Sequence, residues 1–177
     1  MTLACIGVMT SSVSATDRIL SPPAREVFIS PAAGYEFVIT MNGLPKGWVK
    51  SGSQGMLAQK AKGSNILWKR SLPHSYRPRF ALVSDQGTVI LFDQWINVLG
   101  PYAISVLDSS GGVAAEYSFD DIASAVEVSR ADIVSMAQHG SWMSAWPKWD
   151  TTDRLATVRV GGKILLIHLD DGTLEVK

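Results

Sequence analysis

Short runs of β-branched and aromatic residues, separated by Gly, Asp, Asn and Pro at close intervals, constrain this chain more than any other feature. Such punctuation predicts a meander of short antiparallel strands joined by tight turns, so the fold class is mainly β. The predicted strands cover residues 26–30, 35–41, 56–60, 66–70, 80–84, 88–92, 102–107, 113–117, 155–160, 163–169 and 173–176.

The clearest hairpin joins the predicted strands at residues 80–84 and 88–92. Its turn contains Gly87, which can take the positive φ that tight hairpin turns require. The second strand is almost wholly apolar, and this is typical of a strand that is covered on both faces. We therefore expect residues 88–92 to lie at the centre of the core.

One segment departs from the strand pattern and predicts a short helical insertion over about residues 119–138. Its apolar residues recur at helical spacing at Phe119, Ile122, Ala123 and Val126. Ser118 with Asp121, and Ser129 with Asp132, have the spacing of N-terminal helix caps. The two caps are compatible with two short helices or with one bent helix.

The size and charge of the chain exclude several classes of function. Its 177 residues fit a single domain, and 46% of them are apolar. Sixteen basic and sixteen acidic residues cancel, so no net field favours nucleic acid or an anionic membrane. The single cysteine, Cys5, cannot form an internal disulfide and is too little for a thiolate zinc site.

The first fifteen residues predict a signal peptide. They carry no charged side chain, residues 3–9 are apolar, and Val13-Ser14-Ala15 has the small-x-small pattern of a cleavage site. The apolar stretch is too short to span a membrane as a helix. We predict an exported protein, periplasmic or secreted, whose single β-rich domain covers residues 16–177. The basic n-region is missing, so a cytoplasmic protein is the alternative; a lipoprotein signal ending at Cys5 would leave too short a leader.

The repeated unit of strand, Asp- or Gly-containing turn and strand is similar in style to a propeller blade. A closed propeller needs about four or more four-stranded blades, and about eleven strands make fewer than three. We therefore predict an antiparallel meander of propeller-blade-like hairpins that does not close a ring from this chain alone.

Residues 81–95 carry a resemblance to a known group of proteins. They read Ala-Leu-Val-Ser-Asp-Gln-Gly-Thr-Val-Ile-Leu-Phe-Asp-Gln-Trp. This resembles uncharacterised exported bacterial proteins with propeller-like β repeats, in which an Asp-Gly hairpin is followed by Phe-Asp-x-Trp. Residues 104–111 and 117–122 fit the same pattern, but residues 96–99 read Ile-Asn-Val-Leu where the group has His and further Gly. The resemblance implies export and a β-repeat fold, and it implies no activity.

Asp93 and Trp95 form the first candidate site, at the end of the most apolar strand. In the functional interpretation Asp93 accepts hydrogen bonds from a ligand or binds a cation, and Trp95 offers a stacking surface. In the structural interpretation Asp93 accepts backbone N–H groups of the following turn, and Trp95 packs at the edge of the core.

Trp142, Trp146 and Trp149 form the second candidate site. Trp142 and Trp146 share a face if that segment is helical. Exposed tryptophans can stack on sugar rings or bury in a protein partner. The alternative is that the three indoles close the open end of a small sheet as part of the core.

No other pattern predicts catalysis, a metal or a cofactor. The histidines His74, His139 and His168 lack metal-ligand spacing, and a Gly-x-Ser-x-Gly elbow, a calcium loop and a phosphate loop are all missing. His168 is expected to be a half-exposed strand residue. We therefore name no catalytic residue.

The sequence favours a non-enzymatic binding or structural module of the cell envelope that acts through protein contacts. A carbohydrate-binding or hydrolytic protein that uses the Trp-rich segment 142–149 is the alternative. An enzyme should have a concave pocket where titratable groups converge, and an interaction module should have an exposed apolar patch or an open sheet edge. An edge-to-edge homodimer is one partner arrangement that fits the second class.

Overall fold

The computed structural model describes residues 21–43, 52–60, 64–96, 98–150 and 154–177. The predicted signal peptide at residues 1–15 lies outside these ranges. The described strands are β1 (Arg25–Ile29), β2 (Tyr35–Met41), β3 (Ser53–Gln59), β4 (Asn65–Ser71), β5 (Pro78–Val83), β6 (Val89–Gln94), β7 (Ile104–Leu107), β8 (Val113–Tyr117), β9 (Lys148–Trp149), β10 (Leu155–Val160), β11 (Lys163–His168) and β12 (Leu174–Val176).

The strands form three antiparallel sheets of four strands, and each sheet uses consecutive strands. We call them sheet 1 (β1–β4), sheet 2 (β5–β8) and sheet 3 (β9–β12). The predicted mainly β meander is confirmed. The described residues hold one strand more than predicted, because β9 was missed: it has only two residues and is too short to reveal an alternating pattern.

Sheet 2 lies between the other two sheets. On one side, Leu91 of β6 belongs to the same core cluster as Phe37 and Leu57 of sheet 1. On the other side, the neighbouring Phe92 packs in a cluster with Val158 of sheet 3. Every residue of β6 is buried, so the prediction of a strand covered on both faces is confirmed.

The first strands of the three sheets lie on the same side of the molecule. Phe28 of β1 meets Phe80 of β5 edge to face, with ring centroids 5.6 Å apart. The Phe80 ring also lies 5.2 Å from the indole of Trp146, just before β9. Both candidate sites of the sequence are on this side.

The helical insertion consists of two helices, α1 (Phe119–Val126) and α2 (Arg130–Met136). At the start of α1 the side chains of Ser118 and Asp121 each accept a hydrogen bond from the other's backbone N–H, as predicted. The chain does not continue as one bent helix because Glu127 takes a left-handed conformation and ends α1. Neither helix is long or apolar enough to cross a membrane, and the described ranges contain no other helix.

A histidine is buried in the connection between β4 and β5. His74 is 1% exposed, and its ring lies 5.6 Å from that of Tyr102. Burial lowers the pKa of the His74 imidazole from 6.5 to about 4, because the surrounding protein cannot solvate the imidazolium cation. When the pH falls below 6.5, this histidine therefore takes up a proton more readily in the unfolded chain than in the folded chain.

His74 should make the protein less stable as the pH falls. The contribution of His74 to the free energy of unfolding is complete above the pKa that it has in the unfolded chain. It is lost as the pH falls from that value towards the pKa in the folded chain. We expect the free energy of unfolding to drop by about 2 kcal/mol between about pH 7 and pH 5 from this group alone. Urea unfolding across that range measures it, with His74→Gln as the matched control. A pH dependence as steep in His74→Gln as in the wild type would contradict the prediction.

Candidate functional site

Asp93 joins the end of β6 to the loop that follows α2. The carboxylate accepts hydrogen bonds from the backbone N–H groups of Gln94 and Ser141, each at 2.8 Å. Asp93 has a φ of 52°, in the left-handed region that Asp tolerates better than most residues. The residue is 2% exposed, so its carboxylate binds backbone inside the protein.

The charge of Asp93 is balanced from the neighbouring strand. Arg79 of β5 attracts the carboxylate, and its guanidinium donates a hydrogen bond of 2.6 Å to the carbonyl of Trp95. Burial nevertheless raises the pKa of Asp93, because the cost of desolvation exceeds the effect of the two backbone hydrogen bonds and of Arg79. A buried carboxyl of this kind would be a candidate proton acceptor only if a substrate could reach it.

Gly140 closes the approach to this carboxylate. Its φ is 70°, and a Cβ built on it would overlap Oδ2 of Asp93 and come within 3.3 Å of Arg79. The backbone at this position therefore lies directly against the acid–base pair. The arrangement serves as a buried clamp between a strand and a loop.

The indole ring of Trp95 lies against the guanidinium groups of two arginines. The guanidinium carbons of Arg77 and Arg79 lie 5.3 and 5.7 Å from the centroid of its ring, which is a cation–π distance. The indole is half-buried at the edge of the core. The ring surface that the sequence suggested for ligand stacking therefore already has protein neighbours.

The three clustered tryptophans lie in different environments. Trp142 is 1% exposed and belongs to the core between sheets 2 and 3. Trp149 is half-buried against the same core, and Trp146 is 46% exposed. The segment is not helical, so Trp142 and Trp146 do not share a helix face. The three indoles therefore do not form a common binding surface.

Trp146 keeps two aromatic neighbours despite its exposure. The ring of His139 stacks on it with centroids 4.5 Å apart and planes inclined by 26°, and Phe80 lies 5.2 Å away. A sugar platform needs a free face of the indole. Here the two neighbouring rings limit the indole surface that a ligand could cover.

Arg77 was not found from the sequence. It is fully buried, and it donates hydrogen bonds to the carbonyl oxygens of Pro23 and Pro78 and to the Glu26 carboxylate. These bonds connect the residues at and before β1 with the start of β5. The sequence gives no signal that this arginine is buried, because Pro23 and Glu26 lie 54 and 51 residues away along the chain.

The outer face of sheet 1 was also missed. Cross-strand register places six apolar residues on the face that points away from sheet 2, in rows that also contain Glu36 and Lys69. Ile29, Ile66 and Val27 on the two edge strands are 54%, 57% and 36% exposed, whereas Val38 and Ala58 on the central strands are buried. The six residues are Val27, Ile29, Val38, Met56, Ala58 and Ile66. The apolar run at residues 27–29 is the signal that could have found it, because consecutive apolar residues in a strand lie on opposite faces.

Comparison with protein-family models, curated proteins and solved structures finds no match to this chain. The chemistry must therefore be judged from the geometry alone. Within the described ranges, no three His, Cys, Asp or Glu residues lie close enough together to hold a metal ion. His168 is half-exposed in β11 and lies 3.2 Å from Glu175 across the strand pair, so its predicted position is confirmed.

An open hollow lies between α1 and α2. Asp120, Glu127 and Arg130 are among its lining residues. Asp120 and Arg130 form an exposed ion pair of 2.7 Å, which is typical of a solvated helix surface. The hollow does not bring together a nucleophile, a base and a group that orients them.

Proposed function

We propose that this protein is a non-enzymatic binding or structural module that acts through protein contacts. The observation that carries the proposal is the exposure of apolar side chains on the two edge strands of sheet 1, Val27 and Ile29 on β1 and Ile66 on β4. Exposed apolar side chains on an edge strand mark a contact site, because the unpaired edge of a sheet can pair with another chain.

The candidate site at Asp93 supports binding over catalysis. Its carboxylate already accepts two backbone N–H groups, and the Gly140 backbone lies against it. A reacting group there would have to displace protein hydrogen bonds before it met the acid. The hollow at the helices is open and contains an ion pair instead of an acid–base set.

Export to the cell envelope is part of the proposal. It rests on the uncharged residues 1–15, with their apolar stretch and the Val13-Ser14-Ala15 motif. Mass spectrometry of the protein from the exported fraction tests it, and a mature N-terminus near Thr16 is the expected result. An intact Met1 in that fraction would contradict cleavage.

Carbohydrate binding through the Trp-rich segment is the second candidate, and the exposure of Trp146 favours it. Its two aromatic neighbours leave less of the indole for a sugar than an open platform would offer. Glycan-array binding that disappears in Trp146→Ala would favour this candidate.

A photo-crosslinking amino acid placed at position 66 tests the protein-contact proposal in the producing cells. We expect a protein adduct that mass spectrometry can identify. Position 113 is the matched control, because Val113 is 47% exposed on a strand of another sheet. Equal crosslinking at both positions would contradict a specific contact through sheet 1, and so would an absence of adducts at position 66.

A further inference from the structure

We infer that Asn42 is a site of spontaneous covalent modification, at which attack by the backbone nitrogen of Gly43 converts the asparagine into aspartate and isoaspartate. The two residues follow Met41, the last residue of β2, at the start of the connection to β3. Both are exposed to solvent. This site is independent of the proposed contact function and goes beyond it.

The reaction needs water and neither an enzyme nor a cofactor. The Gly43 nitrogen loses its proton and attacks Cγ of Asn42, so that a C–N bond forms and closes a succinimide ring. The bond from Cγ to Nδ2 breaks, and the side-chain nitrogen takes up a proton and leaves as ammonia. Water then adds to either ring carbonyl group, and opening of the ring gives aspartate or isoaspartate. No atom changes its oxidation state.

The backbone nitrogen of Gly43 is open to this reaction. Glycine has no side chain that would crowd the attacking atom, and the φ of 141° at Gly43 is one that residues with a Cβ rarely adopt. A Cβ built on Gly43 would meet no atom within 4 Å, so the surroundings of this residue are open as well. Among the residues that the structure describes, no acceptor binds the Gly43 N–H.

Asn42 is held by its backbone and not by its side chain. Its N–H donates a hydrogen bond of 3.0 Å to the carbonyl of Gly52, next to the strand pair of Met41 and Ser53. Within the described ranges the side-chain amide has no hydrogen-bond partner. The amide can therefore rotate between its rotamers and bring Cγ to the Gly43 nitrogen.

The Asp171-Gly172 pair lacks this freedom. Aspartate before glycine can close the same ring with loss of water. Here, however, the Gly172 N–H donates a hydrogen bond of 2.9 Å to the carbonyl of His168. Oδ1 of Asp171 accepts hydrogen bonds from the N–H and the hydroxyl of Thr173, at 2.9 and 2.8 Å. Because both reacting groups are held, we expect this pair to remain unmodified under conditions that convert Asn42.

The modification changes the charge of the protein and the length of its backbone. The formal net charge is zero at pH 7, so each conversion makes the chain more acidic by one negative charge. Isoaspartate also inserts one carbon into the backbone between positions 42 and 43. The insertion lies beyond the hydrogen bond from Asn42 to Gly52, so the strand pairs of sheet 1 should be retained.

Incubation of the full chain at mildly alkaline pH, followed by tryptic peptide mapping, tests the inference. Cleavage after Arg25 and Lys46 gives a peptide of residues 26–46 in which Asn42 is the only side-chain amide. Relative to protein digested before incubation, this peptide should gain the mass that replacement of NH₂ by OH gives. The rate should be within about tenfold of that for a synthetic peptide of the same sequence. The peptide of residues 63–69 is the internal control, because its exposed Asn65 precedes the β-branched Ile66 and should stay unchanged.

Asn42→Gln is the matched variant, because glutamine keeps an uncharged amide but must close a larger ring. On isoelectric focusing the wild type should develop acidic species during incubation, and the variant should develop fewer. An unchanged 26–46 peptide in the folded chain, under conditions that convert the synthetic peptide, would overturn the inference, since the fold would then keep Cγ of Asn42 away from the Gly43 nitrogen. A mass gain without labelling by an isoaspartyl methyltransferase would overturn the cyclic route.

Discussion

Asp93→Ala is expected to lower the free energy of unfolding by about 3–5 kcal/mol. The substitution removes the acceptor of the Gln94 and Ser141 N–H groups, both of which are buried. It also removes the carboxylate that attracts the guanidinium of Arg79. Alanine must then hold a φ of 52°, which is unfavourable for a residue with a Cβ and no side-chain acceptor.

Asp93→Asn is the matched control. Its amide oxygen can still accept one backbone hydrogen bond, and asparagine tolerates the left-handed region. The neutral amide also avoids the desolvation that raises the pKa of the carboxyl. Urea unfolding at neutral pH should therefore rank the proteins as wild type, Asn and Ala, with the Asn loss less than about half of the Ala loss. An alanine variant as stable as the wild type would show that the clamp contributes little.

Trp142→Ala is expected to cost about 3–5 kcal/mol, because it empties the largest fully buried side-chain volume of the core. The cavity would lie where sheet 2 meets sheet 3, among Phe92, Ile104 and Met143. Trp142→Phe keeps an apolar ring and should recover a large part of the loss.

Trp146→Ala provides the contrast within the same segment. Its indole is 46% exposed, so the loss should stay below about 1 kcal/mol. Thermal unfolding followed by circular dichroism measures both variants without depending on tryptophan fluorescence. Equal losses for Trp142→Ala and Trp146→Ala would contradict the division between a core indole and a surface indole.

The local parts of the fold could be predicted from the sequence. The strand at Val113–Tyr117 and the one at Leu155–Val160 match the predicted bounds, because Gly111-Gly112 precedes the first and Gly161-Gly162 follows the second. The cap of Ser118 with Asp121 could also be predicted, because every atom involved lies within one helical turn. β3 starts at Ser53, earlier than predicted, because Ser, Gln and Gly at its beginning are weak strand formers.

The site could be predicted only in part. The position of Asp93 at the end of an apolar strand made it a candidate from the sequence. Its partner Ser141 lies 48 residues away, and no local pattern links the two. The burial of Arg77 depends on tertiary contacts in the same way. The neighbours of a residue in another sheet or in a distant loop depend on how these parts pack together, and local turn signals do not specify that packing.

The order of the sheets along the polypeptide bears on how the protein folds. Each sheet draws its strands from one uninterrupted stretch of chain, so every strand pairs with a strand that precedes or follows it directly. Closing the short loops between such partners costs little chain entropy, and topologies rich in local pairing fold fast. β1 to β4 are all present once Ser71 has been synthesised, before any residue of β5 exists. Hairpins can therefore assemble in the order of translation, and a nascent chain need not wait for its C-terminus.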